Sequence, residues 1–311
     1  MSRGDPNVTM SSRLAGAIWG HLVGDAMGVP YEFRPHISIE DVRWGASGTH
    51  QQPPGTWSDD GGLMLALLDS LVSVGFNVQD QAARALAWMD GPDYKPGRVF
   101  DIGGTTARAL GRLAAGISAS ESGARAESDN GNGSLMRILP VALVGRRLTD
   151  QELVGWSCQA SRVTHAHPRA QAVCAVYCLI ARTLLVASPI DPHDLLVRAF
   201  EVADRWLDGS NREELRIVRS YSKRTGSGYV VDTFWSAWEA FAGAADYPNA
   251  IATAIAFGND TDTTACVAGG LAGARWGLEA IPSEWRLGMR GQVIADDLTA
   301  RLLATMTADE S

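Results

Sequence analysis

Two acidic clusters carry the chemistry that this sequence offers most plainly: Ser58-Asp59-Asp60 and Asp260-Thr261-Asp262-Thr263. They are about 200 residues apart, and each opens an apolar stretch, 63–68 after the first and 265–268 after the second. Carboxylates and hydroxyls at helix entrances are hard oxygen ligands, the type that Mg2+, Mn2+ or Ca2+ takes and Zn2+ does not prefer. If the clusters meet in space, they can hold one ion or two. The plainer account is helix capping, since Asp, Ser and Thr are common N-caps. One cap explains one Asp. It leaves the adjacent Asp59 and Asp60 repelling each other unless a cation or hydrogen bonds compensate, which puts the metal account ahead. The Asp260-Thr261-Asp262 spacing does not make an EF-hand, because Ala265 and Leu271 stand where Gly and Glu are required.

Four further segments hold residues able to do chemistry. In 24–33, glycines and Pro30 shape a turn after a helix, and Asp25 and Glu32 are candidates to face a cavity. A helix end with one buried salt bridge accounts for that segment equally well. In 100–106, Asp101 precedes Gly103-Gly104 at a helix start, where a carboxylate and free backbone N–H groups could share a site; ordinary turn chemistry gives the same pattern. The run Asp129-Asn130-Gly131-Asn132-Gly133-Ser134-Leu135-Met136-Arg137 is a glycine-rich loop leading into a helix, an arrangement that offers N–H donors to phosphate. It lacks the Gly-Lys-Ser/Thr ending of a P-loop, and no strand precedes it as in a dinucleotide fingerprint. His165 and His167 precede Pro168; taken alone, they read as a cap and a solvent-facing residue.

The elements that must position these groups are helical. Leu14, Ile18 and Leu22 recur at four-residue spacing, with Ser11 or Ser12 as the expected cap. Leu63, Leu67 and Leu71 repeat the pattern. Pro168 and Pro192 each suit a first helical turn, and Phe234, Trp238 and Phe241 mark a helix after Asp232. The stretch 263–276 is rich in Ala and Gly, slim enough to run through the centre of a bundle. The best strand candidate, Gly228-Tyr229-Val230-Val231, is short. Segment 112–129, with Glu121, Ser122, Arg125 and Glu127 as an exposed polar tail, predicts a mobile loop. Convergence of the two clusters favours a single domain over 1–311, with its core over about 11–290.

The 311 residues are 46% hydrophobic and 20% charged, ample for a large core. The net charge of −8, with no block of Lys or Arg, makes nucleic acid an unexpected partner. Of the four cysteines, 158, 174, 178 and 266, Cys174 and Cys178 share a helix face in an apolar run and read as buried structural thiols ahead of a metal site, and no disulfide framework is visible. Met1 to Pro6 lacks an apolar leader, and no stretch reaches membrane-spanning length, so a cytoplasmic protein is expected.

In this order, the segments resemble the ADP-ribosylglycohydrolase family. The pieces are Gly24-Asp25, Gly28, Pro30 and Glu32-Phe33; Ser58-Asp59-Asp60; Asp101-Ile102-Gly103; 132–137; Thr164-His165 with Pro168; and 258–263. Each is short, but six in order are specific. The resemblance implies an all-α fold, a compact orthogonal bundle of helices, with two Mg2+ or Mn2+ ions at the base of a cleft. By position, Ser58, Asp59, Asp60, Asp260, Asp262 and Thr263 would ligate the metal. ADP-ribose would lie along Gly104 and Gly131, Asn132, Gly133, Ser134, Leu135 and Met136, with His165 nearby. Glu32 or Asp101 would be the acid/base in hydrolysis of an ADP-ribosylated side chain or related conjugate, releasing ADP-ribose. Ser58 replaces the usual Thr and keeps its hydroxyl. Gly61 stands where Thr or Ser is common, which is expected to loosen the site and keeps open a non-catalytic ADP-ribose-binding protein. A two-metal nucleotide phosphoesterase is the other alternative, disfavoured because no His adjoins either cluster.

Overall fold

The computed structural model describes residues 8–186 and 190–308. Met1 to Pro6, read above as lacking an apolar leader, lies outside the described residues. The α-helices in chain order are α1 (Met10–Gly28), α2 (Asp59–Val74), α3 (Val78–Asp90), α4 (Gly104–Ala114), α5 (Leu139–Val144), α6 (Asp150–Arg162) and α7 (Pro168–Val186). They continue as α8 (Pro192–Trp206), α9 (Gly209–Ser220), α10 (Val230–Gly243), α11 (Tyr247–Ala256), α12 (Thr261–Trp276), α13 (Ser283–Leu287) and α14 (Gln292–Ala308). Among the described residues the only β pairings are two isolated bridges, Ala124 with His165 and Gly131 with Tyr229. The all-α expectation holds.

The centre of the bundle is the pair α1 and α12, both buried along nearly their whole length. They run antiparallel, backbone against backbone. Gly16, Gly20, Gly24 and Gly28 step along one face of α1 and meet Gly273, Gly269, Ala265 and Asp262 of α12. A Cβ at Gly20 would lie 2.4 Å from the Gly269 carbonyl oxygen, and one at Gly273 would lie 1.9 Å from that of Gly16. No side chain fits there, so glycine on α1 and small residues on α12 are what this approach requires. The slim composition of 263–276 does mark the central helix, as the sequence predicts.

Around this pair, α7 packs on α10 and α12, and α2 lies against α3, α5 and α14. Several expectations change. The cap of α1 is Thr9, whose hydroxyl accepts from Ser12 N at 3.2 Å, while Ser11 and Ser12 lie inside the helix. Gly228-Tyr229 forms no strand; Tyr229 makes one bridge and Val230 opens α10. In 112–129, Ser122 is fully buried, with its hydroxyl on the Val163 carbonyl at 2.8 Å and its own carbonyl held by Arg112 Nε at 2.6 Å. That loop is tied down at a residue read as exposed. The core runs past residue 290, because Ala295, Leu298 and Leu302 of α14 bury in the same cluster. α7 is long and apolar enough to cross a membrane by length and composition, which the sequence reading missed, but most of it is buried among neighbouring helices.

The close approach gives a direct test. Gly20→Ala should destabilise the protein by about 1–3 kcal/mol or more, because the methyl group meets backbone that cannot yield. Gly111→Ala, mid-helix in α4 with open space around its Cα, should stabilise it by about 0.5–1 kcal/mol. Thermal melts of the two variants should move in opposite directions; a Gly20→Ala melt at or above that of the parent would refute the backbone contact.

Candidate active site

The α1–α12 register sets where the two acidic clusters meet. At the exit of α1, a Cβ on Gly28 would fall 2.3 Å from Asp262 Cα, so this turn rests on the first turn of α12. Just beyond, Phe33 N donates to the Asn259 carbonyl (2.7 Å) and Asn259 N donates to the Arg34 carbonyl (2.5 Å). Phe33 and Asn259 both hold left-handed backbone, φ 63° and 59°. For Phe that conformation is strained, and the paired hydrogen bonds hold it. α2 is fixed from the third side. The Asp25 carboxylate accepts from Ser58 N (2.9 Å) and Gly61 N (2.7 Å), and Ser58 Oγ accepts from Asp60 N (3.2 Å). Ser58 is thus an N-cap, as the plainer account held, and Asp25 adds a second acceptor at the same helix start.

These elements enclose a cleft of about 620 Å3, within the usual range for a small-molecule site. Glu32, Asp59, Asp60, Asp101, Asp260 and Thr263 line it, together with Gly104, Gly131, Asn132, Gly133, Met136 and His165. Segments about 200 residues apart therefore converge. Asp262 and Ser58 are buried just off the lining, but a carboxylate oxygen of Asp262 lies within 4.8 Å of one each from Glu32 and Asp260. Ser134 and Leu135 do not face the cleft: both are buried, and Ser134 Oγ accepts from Ser161 Oγ at 2.9 Å. Asp25 does not face it either. Glu32 and Asp101 sit together, with carboxylate oxygens within 4.8 Å of each other. They form a close carboxyl pair on the lining.

The electrostatics are one-signed. No Lys or Arg is among the residues lining the cleft. Burial, and then the charge of Asp101, push the Glu32 carboxyl up to about 10. Burial and Asp260 raise Asp101 to about 6, and burial opposed by its N–H donors leaves Asp25 at about 7. Asp59, Asp60 and Asp262 are raised well above the usual carboxylate range, by burial first and neighbouring acids next. Asp262 Oδ2 is buried with no hydrogen-bond partner. An all-oxygen donor set, an orphaned buried carboxylate oxygen and no countercharge are what a hard divalent cation fits.

The surrounding residues orient this set. Asn132 Nδ2 donates to Asp260 Oδ2 (2.9 Å) and Thr233 Oγ1 (3.0 Å), and the Cys266 thiol donates to Asp60 Oδ2 (3.2 Å). His165 is buried, with Nδ1 at 2.9 Å from Thr164 Oγ1. Burial, and then Arg137 and Arg108, push it down to about 3, so it is a neutral imidazole. It backs the glycine loop: a Cβ on Gly133 would lie 2.6 Å from Thr106 Oγ1 and 2.8 Å from His165 Cε1. His167 Nδ1 accepts from Arg169 N at 3.1 Å, the capping role read for one of the two histidines. α4 begins at Gly104 with Gly103 as a cap that makes no side-chain bond, and 103–106 line the cleft.

The sequence reading missed Ser227 and Gly228 as lining residues, gave Asn259 no role of its own within its motif, and missed His50, which contacts Glu32. A single His in a stretch without periodicity gave no signal. Gly61 does not loosen the site. Its N–H is held by Asp25, and a Cβ there would lie 2.8 Å from both Leu22 Cδ2 and Trp57 Cγ. Gly61→Thr should therefore destabilise the protein by about 1–3 kcal/mol through overpacking, seen as a lower melting temperature. A variant that melts at or above the parent would show that the space beside Gly61 opens readily.

Residues 6–311 match the ADP-ribosylglycohydrolase family. The chain is 32% identical over 283 residues to the ADP-ribosylarginine hydrolase Tri1 of Pseudomonas putida (strain GB-1), covering 88% of this chain and 73% of the relative. It is 29% identical over 293 residues to the protein of the same name from Serratia proteamaculans (strain 568), covering 90% and 76%. Its fold overlays a solved structure described as an ADP-ribosylglycohydrolase-related protein complex, with a TM-score of 0.78 and 33% identity over 94% of this chain and 97% of that one. This chain belongs to the ADP-ribosylglycohydrolase family.

Proposed function

We propose that the protein is a divalent-metal-dependent hydrolase that releases ADP-ribose from ADP-ribosylated arginine side chains. The observation that carries this reading is the convergence, on the lining of one cleft, of Asp59, Asp60, Asp260 and Thr263, with Asp262 and Ser58 buried beside them and no basic side chain on the lining to balance them. Those six residues would hold two Mg2+ or Mn2+ ions. Bound there, the ions would supply positive charge that orients ribose hydroxyls and raises the acidity of water. The unbonded N-terminus of α4 and the Gly131-Asn132-Gly133 loop suit the diphosphate, with neutral His165 beside it. Glu32 and Asp101, paired in a buried setting, suit proton transfer: one protonated carboxyl gives a proton to the departing nitrogen while the pair draws one from water.

Two observations favour a guanidinium acceptor. The named relatives are ADP-ribosylarginine hydrolases. The cleft wall also presents Phe33, 68% exposed, beside Glu32 and Asp101; an aromatic face with adjacent carboxylates attracts a guanidinium. The test is a panel of ADP-ribosyl-arginine, ADP-ribosyl-serine and ADP-ribose phosphate esters, scored for free ADP-ribose. It uses metal-depleted protein with Mg2+ or Mn2+ restored. Release from the arginine conjugate alone, and only with metal, is expected. Binding without release, or release of phosphate, overturns this reading.

Asp262→Ala should cut ADP-ribose release by orders of magnitude. It should leave the metal-free protein at least as heat-stable as the parent, because a buried, partly unpartnered acid is removed from a like-charged group. The rise in melting temperature on adding Mn2+, expected for the parent through binding linkage, should vanish. Wild-type turnover in this variant would sink the metal-dependent mechanism. Glu32→Gln and Asp101→Asn should keep the Mn2+-induced rise, and whichever carboxyl is the acid/base should lose roughly 10²–10⁴-fold in rate. Paired melts and initial rates for the three variants separate the roles.

A further inference from the structure

The loop between α1 and α2 folds back on Glu32. Gly48 packs so closely on Pro30 that a Cβ there would lie 1.7 Å from its carbonyl oxygen. Thr49 Oγ1 donates to the Glu32 carbonyl at 2.8 Å, and His50 Nε2 contacts Glu32 Oε2. The same His50 nitrogen lies 3.7 Å from Asp101 Oδ1. The ring is held between Phe33, edge-on at 5.7 Å, and Phe100, tilted at 5.2 Å; these are the residues that adjoin the two carboxylates in sequence. His50 is not on the cleft lining, so it reaches the chemistry only through Glu32 and Asp101.

We propose that His50 is a positioning residue: its Nε2 holds the Glu32 carboxyl in place beside Asp101, so that the two acids, carried on separate segments, work as one acid/base unit. Gly48 and Thr49 fix the backbone from which it reaches. The contact is a hydrogen bond between the ring Nε2 and the Glu32 carboxyl, with the proton on one or the other according to the tautomer, of the kind that sets carboxyl orientation and separation. Without it, the two acids in a cleft lacking cationic side chains would move apart. This inference rests on the hydrolase reading for its kinetic consequence only; the geometric claim stands apart from it.

Two variants decide the matter. His50→Phe keeps a ring between Phe33 and Phe100 but has no N–H. His50→Gln places an amide N–H near the same point without the ring. If the hydrogen bond at Nε2 is what positions the pair, His50→Phe should lose about 100-fold in kcat, the scale of a misplaced catalytic group, with KM little changed. His50→Gln should stay within about fivefold of the parent, the worth of one imperfect hydrogen bond. The Mn2+-induced rise in melting temperature should persist in both. In crystals, the Glu32 and Asp101 carboxylates should remain within 4.8 Å in His50→Gln, as in the parent, and separate further in His50→Phe. Parent-like kcat in His50→Phe, or equal losses in both variants, would overturn the proposal, since the hydrogen bond at Nε2 would then not be what counts. If the parent itself releases no ADP-ribose from any conjugate, the hydrolase reading fails, and the crystals alone judge His50: unmoved carboxylates in His50→Phe would refute its role.

Discussion

The backbone approach of α1 and α12 is the contact from which the rest of the molecule is arranged. A four-residue glycine step on α1, met by Ala265, Gly269 and Gly273 on α12, lets two helices touch where side chains would hold them apart. Because the helices run antiparallel, the exit of one coincides with the entrance of the other. Glu32 leaves the first and Asp260 and Asp262 begin the second, so the register that buries the centre also sets their separation. Asp25, on the last turn of α1, then takes the N-terminal N–H groups of α2 and brings Asp59 and Asp60 to the same place.

Collecting so many acids in one buried region opposes folding unless each finds a partner. The protein provides local ones: backbone N–H groups for Asp25, Asn132 for Asp260, the Cys266 thiol for Asp60 and His50 for Glu32. They orient the carboxylates without supplying a formal positive charge. That difference separates this cluster from the Asp69–Arg84–Arg301 group elsewhere in the bundle, where two guanidiniums face one buried acid and, against its burial, hydrogen bonds from Tyr94 and Ser73 and then the guanidiniums hold it below its usual range. The chain builds balanced ion pairs where they serve packing and leaves the cleft unbalanced.

Much of this was legible in the sequence. Leu63, Leu67 and Leu71 gave α2, Pro168 and Pro192 gave the starts of α7 and α8, and the small residues after Thr263 gave the central helix. The two acidic clusters announced themselves through residue type, because adjacent acids are hard to explain by capping alone. What stayed hidden depends on tertiary contact. Ser122 reads as polar and exposed, yet it closes a loop by bonding to Val163. Ser134 and Leu135 belong to a glycine-rich motif, but their positions in the turn point them into the core. Asp25 and Glu32 looked equivalent in one turn, and only the direction of α2 assigns one to capping and the other to the cleft. The chemistry of His50 depends on a fold-back that no local pattern encodes.

Phe33 and Asp101 both hold left-handed backbone, at a cost of order 1–3 kcal/mol for Phe33 and less for Asp101, whose residue type visits that region more readily. Phe33 in addition keeps its ring largely in solvent. Selection for heat tolerance alone would meet these two positions early, since glycine at either relieves strain at once. It would thereby remove the exposed ring beside Glu32, or one of the two paired acids. Laboratory stabilisation of this scaffold therefore has a built-in conflict at these positions. Sites such as Gly111, open and off the cleft lining, are where durability can be gained without touching the chemistry.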